Sequence, residues 1–356
     1  MSGVEMVSVE GFRDIETFIE LPWKIYQDDP NWVPPLKSVV RRMLDEQHPF
    51  WEFSERILLL ARRNSETVGR IAGIVDKNYN QFHNTGMGIW GFFECIDDHE
   101  ISEALFAEVQ KWVCQKGMTF LRGPLNPSTN YEVGLLTEGF EHRPTFMMPY
   151  NPPYYRDLVE SAGFRKEKEL VSYIVDRSWK PPEWMQRLAD RLKSKGSISV
   201  RSANKKNLGE EVALIKHIYD ESWNQNWGYV PMTDAEAEEM AGTLVKFADP
   251  ELIFFIYVNQ EPVAVGLVVP DICPLLKRLN GKVGLLGLLK ILLYRKEVNG
   301  MRGLLFGIKE EYRQLGLPFV GFDYLFRVAT YCADLIPIRT CSDRQRRFPR
   351  KRRESR

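Results

Sequence analysis

The chain has 356 residues, enough for two domains that each bury a core, and its 12% aromatic content supplies ample packing material. Its 48 Lys/Arg and 48 Asp/Glu cancel, but residues 339–356 carry a net +7 and the remainder −7, so only the tail has the charge of a nucleic-acid or membrane arm. The longest apolar run, VGLLGLLKILLY at 283–294, contains a lysine and falls short of the ~20 residues a spanning helix needs, which argues against an integral membrane protein.

In chain order, residues up to about 53 read as a leader of helix signals and a proline-rich loop, with Asn31-Trp32-Val33-Pro34-Pro35 in it. No cationic stretch precedes an apolar run there, so no secretory signal is expected. Residues 57–76 are two apolar runs about a polar turn, a predicted β-hairpin. GFFECI at 91–96 predicts a strand, and Asp97-Asp98 then precede a helix over 101–116, with Ile101, Leu105 and Val109 on one face. A short strand, 120–122, leads into Gly123-Pro124-Leu125-Asn126-Pro127-Ser128-Thr129-Asn130. Tyr150-Asn151-Pro152-Pro153-Tyr154-Tyr155 introduces a helix closed by Ala162-Gly163-Phe164, and 169–176 reads as the last strand of this half.

Residues 178–195 predict a helical connector, and a helix around 210–224 leads to Asn226-Trp227. Thr233 is a predicted N-cap, with Glu236 completing a capping box. A second hairpin at 252–271 is followed by an extra segment, about 272–302. Its stretch 273–294 reads as a lid, a homodimer contact or a membrane-surface helix, with burial against the protein as the default. The five cysteines stand apart with no C-x-x-C pair, which points to a reducing cytoplasm and away from a zinc site. Cys95 and Cys114 are expected to be buried small hydrophobes. The histidines are scattered, and no metal is expected.

The two hairpins are copies. ILLLARRNSETVGRIAGIVD at 57–76 aligns without gaps on LIFFIYVNQEPVAVGLVVPD at 252–271, an offset of 195 that Asn31-Trp32 and Asn226-Trp227 also share. Beyond the second hairpin, GLLFGIKEEYRQLGLPFVGFDYLFR at 303–327 runs from an apolar strand through a turn into an amphipathic helix. A helix opening at such a turn points unpaired N–H groups and its positive dipole end at a ligand, which suits a pyrophosphate. Arg313 and Gly316 of this turn resemble the acyl-CoA loop, Q/R-x-x-G-x-G/A, of the GNAT superfamily of N-acyltransferases, with Pro318 where that family has Gly or Ala. The hairpins are similar to the second and third strands of the same fold.

The resemblance implies an α/β protein of two tandem GNAT-like domains, each a mixed twisted sheet flanked by helices. The expected boundaries are a degenerate copy at 1–177, a connector at 178–196, an acyl-CoA-binding domain at 197–338 and a basic tail at 339–356 outside the fold. A whole domain of this kind needs further strands after residue 333, so the C-terminus is expected to be truncated or read out of frame beyond about 332. The first half carries Asp97-Asp98-His99-Glu100 and Glu103 where the loop would lie, and these repel a pyrophosphate.

For the site, the resemblance implies acetyl-CoA or another acyl-CoA as co-substrate. Phe306, Gly307 and Ile308 would offer strand edge to pantetheine, and Arg313, Gln314, Leu315, Gly316 and Leu317 would hold the pyrophosphate. Glu310 and Glu311 are the candidate bases. Short polar side chains on proline-set loops, with aromatics nearby, make Asn126, Ser128, Asn130, Glu132, Tyr150, Asn151 and Tyr154 the candidate acceptor-binding residues. The function expected is transfer of an acyl group, acetyl first, to an amine on a small molecule or peptide in a bacterial-type cytoplasmic protein. The alternative is a non-catalytic CoA-binding or scaffold protein, and nucleic-acid binding through the tail ranks last.

Overall fold

The computed structural model describes residues 3–175, 179–194, 196–245 and 248–335, with side chains placed through residue 328. The basic tail at 339–356 lies outside the described residues, as do the side chains of Cys332 and Cys341.

The first unit opens with β1 (Glu5–Ser8), α1 (Gly11–Ile25) and α2 (Lys37–Met43). The hairpin of β2 (Ser54–Arg63) and β3 (Glu66–Asp76) follows, then α3 (Lys77–His83), β4 (Met87–Cys95), α4 (His99–Gln115) and β5 (Phe120–Arg122). The small pair β6 (Leu125–Asn126) and β7 (Glu132–Val133) precedes α5 (Tyr155–Ser161). Strand order is β1-β2-β3-β4-β5, antiparallel except for the parallel β4–β5 pair.

The alternation of β2 sends Leu59 and Ala61 to one face, where Ile101, Leu105 and Val109 of α4 cover them, and Leu58 and Leu60 to the other, under Phe18 and Ile19 of α1. Gly91 is required by contact rather than by conformation. A Cβ there would lie 1.9 Å from the Leu125 carbonyl oxygen, so only glycine lets β6 lie against β4.

The second unit comprises α6 (Glu183–Ser194), β8 (Ile198–Ser202), α7 (Leu208–Trp223), α8 (Asp234–Leu244), β9 (Ile253–Val258) and β10 (Glu261–Pro270). After these come α9 (Cys273–Leu279), α10 (Leu285–Tyr294), β11 (Met301–Ile308) and α11 (Leu317–Leu335). Its sheet, ordered β11-β10-β9-β8, is antiparallel throughout the described residues. Phe254 and Ile256 pack on Leu317 and Val320 of α11, while Phe255 and Val265 face Ile218 of α7.

The repeat read from sequence is a structural one. In both hairpins the two-residue turn has both residues at positive φ, Asn64 (51°) and Ser65 (65°) in one, Asn259 (49°) and Gln260 (69°) in the other. That is the turn whose twist matches the strands it joins, and asparagine tolerates it. β1 and β8 flank the hairpins at corresponding edges, and β4 and β11 pair with the second hairpin strand in each sheet.

Four expectations are corrected. Residues 169–175 are not a strand: Leu170, Val171, Tyr173, Ile174 and Val175 stay exposed, because the three-residue β5 gives the segment no edge long enough to pair with, and residue 176 lies outside the described residues. The leader contains a strand, β1, too short to show an alternation. Cys114 is exposed on α4, whereas Cys95 is fully buried and its thiol is pushed up to about 12 by burial. The segment predicted to be buried at 273–294 keeps Leu285, Leu286, Leu288, Leu289, Leu292 and Leu293 exposed.

The predicted connector helix, α6, packs on α11, where Trp184 meets Phe319 edge-on and Lys193 pairs with Asp323 at 2.8 Å. The capping box of Thr233 and Glu236 is present at the start of α8.

Candidate functional site

β11 is the edge of its sheet among the described residues. Phe306, Gly307 and Ile308 pair with Gly266, Val265 and Ala264 of β10. Gly307 is buried against the end of α7, and a Cβ there would meet Ser222 at 3.2 Å, so the glycine sets how closely α7 approaches the strand.

The residue after the strand, Lys309, is buried with its amine 3.1 Å from both Glu221 and Glu261. Burial pulls its pKa down, but the hydrogen bonds and charges of the two glutamates outweigh this and leave it above an ordinary lysine's. Residues Glu310–Leu315 then wind into a short 3-10 turn, with Glu310, Glu311, Gln314 and Leu315 exposed. Arg313 does not reach forward from this turn. Its Nε donates to the Ile308 carbonyl (3.3 Å) and its Nη2 to the Ser222 carbonyl (2.7 Å), tying β11 to the end of α7.

Gly316 closes the turn at φ 74° and is followed at once by the buried Leu317, the first residue of α11. A residue without a side chain cannot cap the helix, so no carboxylate or hydroxyl of its own stands at this N-terminus. Pro318 has no N–H to offer, and the Phe319 N–H turns back to the Gly316 carbonyl at 3.1 Å. The corresponding helix of the first unit differs: Asp98 accepts from the Ile101 N–H (3.2 Å) and pairs with Arg63 (2.7 Å), so α4 carries its own anion.

A second feature lies where the units meet. A small cleft of about 10 Å³, room for about one water, is lined by Ser54, Asp76, Ser128, Asn130, Val230 and Glu236 among others. Asp76 is 2% exposed and caps α3 through the Tyr79 N–H at 3.0 Å; burial raises its pKa to about 6. The buried Glu236 accepts from the Tyr131 hydroxyl at 3.3 Å.

Asn130 joins the units, its Nδ2 donating to the Val230 carbonyl (3.2 Å) and its Oδ1 accepting from the Tyr219 hydroxyl (2.9 Å). Tyr219 stacks on Trp223 at 5.6 Å, and the Trp223 indole nitrogen comes next to Gly307. One face of α7 therefore runs from the cleft to β11. Trp227 also crosses the interface, lying 5.4 Å from the Arg122 guanidinium, while Trp32 stacks on Tyr26 within the first unit. The two Asn-Trp pairs thus share an offset but not a contact.

The acceptor candidates separate accordingly. Ser128 and Asn130 line the cleft. Asn126 and Glu132 instead belong to a buried polar network: Asn126 accepts from Phe92 N–H at 2.5 Å and donates to Glu132 at 3.2 Å. Phe92 sits at φ 49° in β4, where the ladder to β3 shifts register, a bulge held by that bond. In the same network Glu94 accepts from the Tyr155 hydroxyl at 2.7 Å and lies 3.5 Å from Arg70, and burial raises both Glu94 and Glu132 above the ordinary carboxylate range.

Tyr150 donates to Asp29 (2.8 Å), Asn151 accepts from the Leu136 N–H (2.7 Å), and Tyr154 donates to the Cys95 carbonyl (2.8 Å). These three stitch loops together. Asp76 and Tyr219 are not among the site candidates read from the sequence, and Glu236 is read there only as part of a cap; the one available signal is the Asp that ends both repeated hairpins, Asp76 and Asp271.

Two copies of an α/β unit, each built on the same hairpin and followed by a strand and helix, make the tandem α/β repeat that the GNAT resemblance implies. No protein-family model matches the chain. It is 30% identical over 315 residues, 87% of this chain and 82% of the relative, to the bacterial ceramide synthase of Caulobacter vibrioides. It is 29% identical to protein YghO of Escherichia coli over 321 residues, 86% of this chain and 81% of the relative. The chain belongs to the family of that bacterial ceramide synthase. Among solved structures, a tandem GNAT protein from the clavulanic acid biosynthesis pathway aligns with 92% of this chain and 87% of its own, at 10% identity and a TM-score of 0.47.

Proposed function

We propose that this protein is an acyl-CoA-dependent N-acyltransferase whose second unit holds the acyl-CoA and whose acceptor amine enters between the units. The observation that carries this reading is the start of α11, a 19-residue helix opened by Gly316 with no capping side chain, beside the edge strand β11. Phe306, Gly307 and Ile308 would pair with the pantetheine arm, and the turn from Arg313 to Leu317 would meet the pyrophosphate. The self-capped α4 supports assigning the cofactor to the second unit alone.

In the reaction the amine nitrogen attacks the thioester carbonyl, a C–N bond forms as the C–S bond breaks, and the amine proton passes to a base while the thiolate leaves. Glu310 and Glu311, exposed at the end of β11, are the proposed bases, reached through water. The name of the ceramide synthase relative supports an acceptor of the long-chain amino alcohol class, since a ceramide is the amide of one. Ser128 and Asn130, joined to β11 through Tyr219 and Trp223 of α7, are the proposed acceptor contacts. No helix of the described residues is long and apolar enough to cross a membrane; the cytoplasm is the proposed location, on the separated cysteines of the sequence.

Calorimetric titration of the full chain with acetyl-CoA and with a long-chain acyl-CoA tests this, beside Gly316→Asp. Micromolar binding lost in the variant is the expected result. A folded protein that binds neither thioester would leave the scaffold reading.

A further inference from the structure

The helix α10 presents an apolar surface that the described residues leave exposed. Leu285 (89% exposed), Leu286, Leu288, Leu289, Leu292 and Leu293 all face outward, while Gly287 alone is buried and Ile291 and Tyr294 are half-buried. Positions 287, 291 and 294 make one narrow stripe at helical spacing, and that stripe is what seats the helix on the protein. The seat itself is firm. The Trp23 indole donates to Asn280 at 2.8 Å, Lys37 N–H donates to the Gly281 carbonyl at 3.0 Å, and Lys290 reaches the Arg278 carbonyl at 2.8 Å. The leucines are therefore exposed on an anchored element.

Charge says what covers them. Between residues 273 and 300 stand Lys277, Arg278, Lys282, Lys290, Arg295 and Lys296, against the single carboxylate of Glu297, which Arg278 already holds at 2.9 Å. This basic belt sits on a chain whose first 338 residues are otherwise net acidic. A second copy of the same surface would set a net +5 against a net +5, whereas an anionic bilayer neutralises the cations and takes up the leucines together. Ten residues reach only about 15 Å, half the hydrocarbon thickness, so the helix lies in the interface and does not span it.

We propose that α10 docks this protein on the surface of a bilayer rich in anionic phospholipid, with the leucines in the acyl-chain boundary and Lys282, Arg295 and Lys296 at the headgroups. The docking goes beyond the acyltransferase reading and is measured without turnover, so either can fail alone.

The test is flotation of the full chain with vesicles of phosphatidylglycerol and phosphatidylethanolamine, and with vesicles of phosphatidylcholine alone. The expected result is at least tenfold tighter binding to the anionic vesicles, weakening as salt is raised. Leu288→Glu/Leu292→Glu should abolish it with an unchanged thermal midpoint, since both side chains are exposed in the fold. Arg295→Glu/Lys296→Glu should weaken binding to anionic vesicles severalfold. The proposal is overturned if the protein floats with neither vesicle, or if the leucine variant converts a dimer to a monomer while vesicle binding is unchanged.

Discussion

The first and second units start from the same hairpin and diverge one strand later. After β4 the chain places Asp98 at the mouth of α4 and ties it to Arg63. After β11 it places Gly316 at the mouth of α11 and ties the nearby Arg313 back to backbone carbonyls. A helix N-terminus that supplies its own carboxylate has spent the field that would hold a ligand anion, whereas one opened by glycine has not. A shared fold thus carries two different helix starts, and the residue at one position separates them.

The same divergence marks the two aspartates at the ends of the hairpins. Asp271 accepts from Arg143 at 2.7 Å and from the Phe146 N–H at 3.0 Å. Asp76 is as deeply buried but makes its bond to the start of α3, with no salt bridge to a cation among the described residues. Substituting each should give opposite signs, and that pair is the sharpest test of the comparison. Asp271→Ala should destabilise by about 4 kcal/mol in urea unfolding, because it strands Arg143 and two backbone donors at the contact between the units. An effect below about 1 kcal/mol would break the claim that this contact is structural.

Asp76→Asn should instead stabilise near neutral pH. The folded pKa of about 6 lies above the ordinary 3.8, so this group's stabilising term is complete below pH ~4 and is lost as pH rises through about 6. The shift of roughly two units corresponds to about 3 kcal/mol. Asparagine keeps the cap on Tyr79 and should remove this part of the pH dependence between about 4 and 7, measured by parallel urea titrations of both proteins. An unchanged pH profile would refute the buried-carboxylate assignment.

Two smaller effects sharpen the contrast between the helix starts and the likeness of the turns. Gly316→Asp gives α11 the self-cap that α4 has, and should weaken acyl-CoA binding at least tenfold by calorimetry, about 1.4 kcal/mol. Equal binding by the variant would mean the pyrophosphate is held elsewhere. Asn64→Val and Asn259→Val should each cost about 1 kcal/mol, since a β-branched residue resists positive φ. Unequal thermal shifts would show that the two hairpins are alike in sequence but not in strain.

Much of this was legible before any coordinates. The hairpins, the strand at 120–122, the capping box at Thr233 and the turn at Gly316 are local, and each rests on a periodicity or on the backbone preference of one residue within a few positions. Local rules also misled at residues 169–175, where an apolar run looked like a strand, because a strand exists only if another edge accepts its hydrogen bonds. The outward leucines of α10 failed for a related reason: a sequence shows that a face is apolar but not whether the fold has anything to lay against it.

What the sequence by itself determined, then, was the repeated α/β plan and the place of the glycine-opened helix. Only the tertiary structure decided which polar residues meet. Asn130 reaches Tyr219 across 89 positions, Arg143 reaches Asp271 across 128, and Asn126 donates to Glu132. Such partners are chosen by how two closed cores dock and by the cost of leaving a buried polar group unpaired, and neither is written in the spacing of residues along the chain.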